Sequence, residues 1–121
     1  MPRIISFAWT VPALLARQKT VTRRDWKPNY ARQFKAGHLA FAFDRSPRAG
    51  GKQIAVIRLT AGPYWERGCD MPDSDYEAEG FAFLQQHRLT VNGTPPRELW
   101  QQMKASDDGV WVVRFEVVSI P

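Results

Sequence analysis

A single cysteine, Cys69, and two histidines, His38 and His87, are all the thiol and imidazole ligands in this 121-residue chain. One thiol excludes an intrachain disulfide. The wide separation of His38, Cys69 and His87 excludes the paired-ligand spacing of a structural zinc site, so no metal is expected. These absences fit a reducing compartment, and the expectation is a cytoplasmic protein. Long apolar runs are lacking too. Residues 4–16 are apolar after a lone Arg3, but Pro12 interrupts them and no small-residue cleavage pattern follows, which argues against a secretory signal. No run reaches the ~20 residues of a spanning helix, so no membrane partner is expected. No repeat, low-complexity stretch or linker divides the chain. Its length suits one domain, residues 1–121, and the 44% apolar content marks it as globular.

The first half also lacks acid. Residues 1–60 hold twelve lysines and arginines against two acids, Asp25 and Asp44, a net of +10. Residues 61–121 hold five against ten, a net of −5. Nine of the basic residues fall between Lys19 and Lys52. Such asymmetry points to a basic face and a polyanionic partner, most simply nucleic acid. The blander alternative is that folding interleaves the two halves.

What is present alternates between short strand and helix patterns. Residues 4–7 read as a first strand. Thr10 suits an N-cap, with Pro12 in the first turn and Val11, Leu14 and Leu15 on an apolar face. Residues 20–24 are β-branched and alternating, hence extended. Residues 28–34 suit a short helix closed by Gly37. Residues 38–43 read as a buried strand, and 53–59 and 110–120 as further strands. Residues 44–52 are a loop, and 63–73 are irregular. Residues 74–87 begin as a helix, with Ser74 as cap and Asp75 and Glu77 in its first turn, and Gly80 is placed to interrupt it. Asn92-Gly93 marks a turn, and 95–104 a helix with Leu99, Trp100 and Met103 on one side. Four to five strands and three to four short helices are too few and too short for a doubly wound sheet. The expected class is α+β, a small, partly closed mixed β-barrel with short flanking helices.

The chemistry concentrates in Lys19-Thr20-Val21-Thr22-Arg23-Arg24, an amine, two hydroxyls and two guanidiniums in six residues. A threonine hydroxyl becomes a nucleophile once a base takes its proton. Lysine serves as that base when burial or nearby cations, here Arg23 and Arg24, pull its pKa toward neutrality. A carboxylate such as Glu79 can then shuttle the proton or position a water. In a straight strand Lys19 and Thr22 point to opposite faces, so a shared pocket needs a bend near residues 19–20. The commoner use of such a strand is a phosphate contact or an exposed edge, and Glu79 is by default a charge on a helix surface. Trp9, Trp26, Phe41, Phe43 and Tyr64 are candidates for base stacking, with Trp26 best placed beside the arginines. Phe41, Phe43 and Trp111 read more naturally as core. The loop Arg45-Ser46-Pro47-Arg48-Ala49-Gly50-Gly51-Lys52 resembles an anion-binding lip but lacks P-loop spacing. His38 reads as structural. Cys69, without an evident base, reads as inert.

The segment Arg17-Gln18-Lys19-Thr20-Val21-Thr22-Arg23-Arg24 resembles the signature of the ASCH domain family, Gly-x-Lys-x-x-Thr-x-Arg. Lys19, Thr22 and Arg24 fall on its lysine, threonine and arginine, while Arg17 replaces its glycine. Ile5-Ser6-Phe7, Arg23-Arg24-Asp25-Trp26 and Asp75-Tyr76-Glu77-Ala78-Glu79-Gly80-Phe81 extend the likeness to the small ASCH proteins of phages and prophages. The resemblance implies a PUA-like barrel, an association with RNA or a modified nucleoside, and no cofactor. One branch of the family removes the acetyl group from N4-acetylcytidine with a lysine, a threonine and a glutamate. This chain then supplies Lys19, Thr22 and Glu79, with Glu77 as the fallback carboxylate. Two functions follow. One is an amidohydrolase with Lys19 as base and Thr22 as nucleophile. The other is a non-catalytic module that reads RNA or a modified base, with Arg23, Arg24, Trp26 and Lys52 as contacts.

Overall fold

The computed structural model describes residues 2–121. Among them, β1 (Arg3–Ser6), β2 (Val21–Arg24), β3 (Leu39–Phe43), β4 (Gln53–Leu59), β5 (Tyr64–Arg67) and β6 (Gly109–Ser119) form one six-stranded sheet. It is curled into a half-barrel, in the order β1-β3-β4-β6-β2, with β5 also on β6. The helices are short: α1 (Val11–Leu15), α2 (Pro28–Ala31), α3 (Asp75–Ala78), α4 (Phe81–Gln86) and α5 (Pro96–Lys104). The architecture is mixed α+β, a small barrel-like domain.

Only β1 and β3 run parallel, from Arg3 opposite Ala40 to Ser6 opposite Phe43. Parallel neighbours need a crossover, and α1, β2 and α2 lie inside it. That crossover is what delivers the basic segment to the far edge of the sheet. There β2 pairs antiparallel with β6, Thr22 opposite Val113 and Arg23 opposite Val112. Consecutive Val112 and Val113 are both buried, so both faces of the sheet are covered at this point. Val113 faces the main core with Ile5, Phe7, Leu14, Ile57 and Phe115. A second apolar cluster, Ala13, Met71, Phe81, Leu84 and Trp100, joins α1, α4 and α5.

Several expectations change. β5 lies inside the segment read as irregular. It is an outer strand with Tyr64, Trp65 and Arg67 exposed, so it carries no buried alternation to betray it. In β3 the register turns Ala40 and Ala42 inward and leaves Phe41 and Phe43 half-buried, as Trp111 is in β6. The small side chains therefore form the core there, not the large ones. Thr10 makes no capping bond to its helix, and its hydroxyl donates to the Phe7 carbonyl instead. Gly80 does interrupt the 74–87 helix, at φ +87, and α3 ends as Glu79 turns inward.

Candidate functional site

Two local devices bring the basic segment against the acids. The first is the turn before Lys19. Arg17 adopts φ +59, a left-handed conformation that favours glycine, so the turn keeps a glycine-like geometry with arginine in place. Its guanidinium reaches across to donate to the Val117 carbonyl. The second is Gly80. A Cβ there would lie 2.5 Å from the Ala13 Cβ and 3.3 Å from the Lys19 Cβ. Only glycine lets α1, Lys19 and the α3–α4 corner close on one another.

Closure buries Lys19 at 1% exposure and Glu79 at 4%. Lys19 Nζ donates to Glu79 Oε1 and to the Glu79 carbonyl, each at 3.0 Å. Burial strips water from the ammonium and pulls its pKa below the ordinary lysine value. Glu79 opposes this by charge and hydrogen bond, while Arg24 and Arg23 add to it. Glu79 Oε2 in turn accepts from Arg23 Nη1 at 2.6 Å. Arg23 Nη2 donates to Asp75 at 2.5 Å and to Glu66 at 2.9 Å. Arg114 completes the set with two bonds to Asp75, at 3.0 and 2.8 Å. Burial disfavours the ionised Asp75, but the hydrogen bonds from Arg114 and Arg23 outweigh it and hold its carboxyl below the usual range.

Lys19, Arg23 and Arg114 thus face Glu79, Asp75 and Glu66, three charges of each sign. Arg24 is a fourth cation close enough to act on Lys19 and to feel Glu79. Counted with Arg24, the set is balanced when Lys19 is neutral. Loss of the Lys19 proton therefore removes an excess of charge instead of creating one.

Thr22, 5% exposed, leaves the other face of β2 from Arg23, as strand alternation requires. Its Oγ1 accepts from Arg24 Nε at 3.2 Å, and the Arg24 guanidinium stands 5.3 Å over the Phe7 ring. The structure brings Lys19 to Glu79 and Thr22 to Arg24. Among the described residues no hydrogen bond links Lys19 directly to Thr22. Glu77, the fallback carboxylate, is exposed.

The other expected contacts divide. Arg23 is not a surface phosphate contact, because its side chain is 5% exposed and three carboxylates occupy its guanidinium. Its Nε is buried without a partner. Trp26 is not a free stacking platform. Phe34 covers one face, with centroids 4.6 Å apart at 12°, and Tyr30 meets it edge-on. Lys52 is exposed, and its backbone N–H closes the β3–β4 loop on Asp44 Oδ1 at 2.8 Å. Asp75, Glu66 and Arg114 were not among the expected site residues. The four-residue spacing of Asp75 and Glu79, which sets two acids on one helical face, was the available signal. Charge is therefore interleaved in part, since Lys19 and Arg23 of the basic half are neutralised by acids of the other half. Among the described residues no group of three or more histidines, cysteines or acids is arranged to hold a metal ion, and no helix is long and apolar enough to cross a membrane.

No protein-family model matches the chain, and no curated protein matches it. Among solved structures, the chain is similar to protein EF3133 from Enterococcus faecalis V583, a crystal structure assigned to the family model DUF984. The two superpose with a TM-score of 0.65 at 19% identity, over 100% of this chain and 82% of that one. The likeness is one of fold.

Proposed function

We propose that this chain is an ASCH-type domain of the PUA-like class that hydrolyses the amide of an N4-acylated cytosine. The observation that carries the reading is Lys19, fully buried against Glu79 with its pKa drawn down by desolvation. A titratable group perturbed by burial beside a specific partner is characteristic of functional sites. Stability gives a poor alternative reason for it, because a buried ion network is often no more stable than an apolar replacement.

In this reading neutral Lys19 takes the Thr22 proton and Thr22 Oγ1 attacks the acyl carbonyl. The C–N bond breaks as protonated Lys19 returns that proton to the cytosine amine, directly or by way of Glu79, which accepts from it. Water, deprotonated by Glu79 or Lys19, then releases the acid from Thr22. Arg24 already donates to Thr22 Oγ1, so its guanidinium lies where negative charge develops on the acyl oxygen. Arg23 orients Glu79 through the bond from its Nη1 to Oε2. The sequence of steps requires Lys19 Nζ and Thr22 Oγ1 to meet, directly or through one water, once substrate is bound. Catalytic hydrogen bonds commonly tighten only at that stage.

The test is release of cytidine from N4-acetylcytidine, followed chromatographically. Wild-type protein and Thr22→Ser are expected to release it, while Lys19→Ala and Thr22→Ala are not. Turnover by Thr22→Ala removes Thr22 as nucleophile, and no release by wild-type protein overturns the reading for this substrate. A module that binds a modified base without hydrolysis is the second reading. One observation favours it: Lys19, Thr22 and Glu79 are all 5% exposed or less.

A further inference from the structure

We infer that Trp9 and the loop from Arg45 to Lys52 form a docking surface for single-stranded nucleic acid. The observation begins with the aromatic inventory. Trp9 and Trp65 are each 57% exposed. Trp65 lies on the backbone at Gly109, where a Cβ would fall 1.8 Å from its Cζ2. Trp9 has no aromatic partner among the described residues, so an indole face is left to solvent. It is also held in place. Phe7 and Ala8 donate their backbone N–H groups to the carbonyls of Phe43 and Asp44, each at 2.9 Å. Ala8 sits at φ +47, a left-handed conformation costly for a residue with a Cβ. A turn strained in this way, ending on an exposed tryptophan, is poor economy for packing and good presentation for a ring.

The surroundings carry the second half of the recognition. A cavity of about 270 Å³ opens between Ala8, Trp9, Asp44 and Arg45. Arg45, Arg48 and Lys52 are exposed, and none forms an ion pair among the described residues. Their arrangement is set by the loop itself. Gly51 is required, since a Cβ there would meet the Arg45 carbonyl at 1.9 Å, and the Asp44 carboxylate is occupied by the Lys52 N–H. Three exposed cations that form no ion pair among the described residues thus lie on one loop, which meets the open indole at the cavity through Arg45. That pairing of a stacking platform with cations along a backbone track is the chemistry of single-strand binding. Duplex offers its phosphates but not its base faces.

The surface adjoins the proposed site through one line of contacts: Thr22 to Arg24, Arg24 to the Phe7 ring, Phe7 to Ala8 and Trp9. The inference deepens the proposed function by making the acylated cytosine part of a strand, and it rests on that reading only for this link.

The test is fluorescence anisotropy of labelled ten-nucleotide single-stranded RNA and DNA, at two salt concentrations, with a blunt duplex and anionic phospholipid vesicles as parallel arms. Wild-type protein is expected to bind the single strands in preference to duplex, and the preferred sugar identifies the polymer. Trp9→Ala is expected to weaken binding about tenfold and Trp9→Phe much less, in keeping with ~1–3 kcal/mol per stacked base. Arg45→Ala and Arg48→Ala each flatten the log–log salt dependence by about 0.7. Wild-type affinity in Trp9→Ala, equal binding of duplex, or binding to vesicles without binding to oligonucleotides overturns the inference. All three residues are exposed, and an unchanged melting temperature separates lost contacts from lost folding. The assay requires no turnover. A protein that binds without hydrolysing contradicts the deacylase and leaves this surface standing, and the converse contradicts the surface alone.

Discussion

Two buried regions of this small fold are closed to water to a similar degree and built from opposite materials. On the concave side of the sheet, Ile5, Leu14, Ile57, Val113 and Phe115 pack with no ionised side chain among the buried members. On the other face of β2 and β6 lie Arg23 and Arg114, and with Lys19 from the turn before β2 they meet Asp75, Glu79 and Glu66 in a charged cluster buried at Lys19, Arg23, Asp75 and Glu79. The first region gains from every apolar atom removed from water. The second bears a desolvation cost for each charge and offsets it by pairing. A fold with one good core has no need of the second arrangement for stability. What the charged region offers is a lysine that loses its proton without unbalancing its neighbours.

The contrast can be broken by removing one member from each side. Arg23→Leu leaves Glu79 and Asp75 buried without their shared cation, and a loss of about 3–5 kcal/mol is expected in denaturant unfolding. A loss under about 1 kcal/mol would mean that water already reaches the cluster. Leu14→Ala opens a cavity in the apolar core and is expected to cost about 3 kcal/mol, with no change in the Lys19 titration. Gly80→Ala attacks the seam between the regions. It combines a left-handed backbone with a 2.5 Å approach to Ala13, and a loss of about 2 kcal/mol is expected, together with a displaced Lys19. Arg17→Gly is the smallest change. It relieves a left-handed arginine at about 1–2 kcal/mol and gives most of that back in unfolded-chain freedom and the bond to Val117. Its melting temperature is expected to rise slightly, and a clear fall would show that the cross-sheet contact dominates.

The apolar region was the more legible of the two in the sequence. Alternation marked β4, the run of Val, Trp and Phe marked β6, the Pro12 start marked α1, and Gly80 announced the break between α3 and α4. β5 escaped because an outer strand with an exposed Tyr64-Trp65 pair shows no period of two. Phe41 and Phe43 were misjudged because size suggested core, whereas register decided for Ala40 and Ala42. The charged region was legible by residue type but not by environment. Lys19, Thr22 and Glu79 stood out, yet nothing local shows that Glu79 turns inward at a helix end or that Arg23 is surrounded by acids more than forty positions away. Long-range pairing of charge carries no periodic signal. The whole-half charge count misled for the same reason, since it cannot distinguish Arg23, buried, from Arg48, exposed.

The protonation of Lys19 links structure to chemistry. Its folded pKa lies below the unfolded one, so between the two values the unfolded chain holds the extra proton and this group's contribution to stability rises with pH. In the proposed mechanism the same group acts as base only when neutral, so a rate of deacylation that rises through the folded pKa and levels off below the ordinary lysine range is expected. The most direct test is a titration of the Lys19 side chain by NMR, with ¹³C label at Cε and Lys19→Met to assign the signal. A midpoint clearly below the ~10.4 of a free lysine is predicted. A midpoint at or above that value would show Lys19 to be a permanently charged partner of Glu79, and would contradict its role as a base.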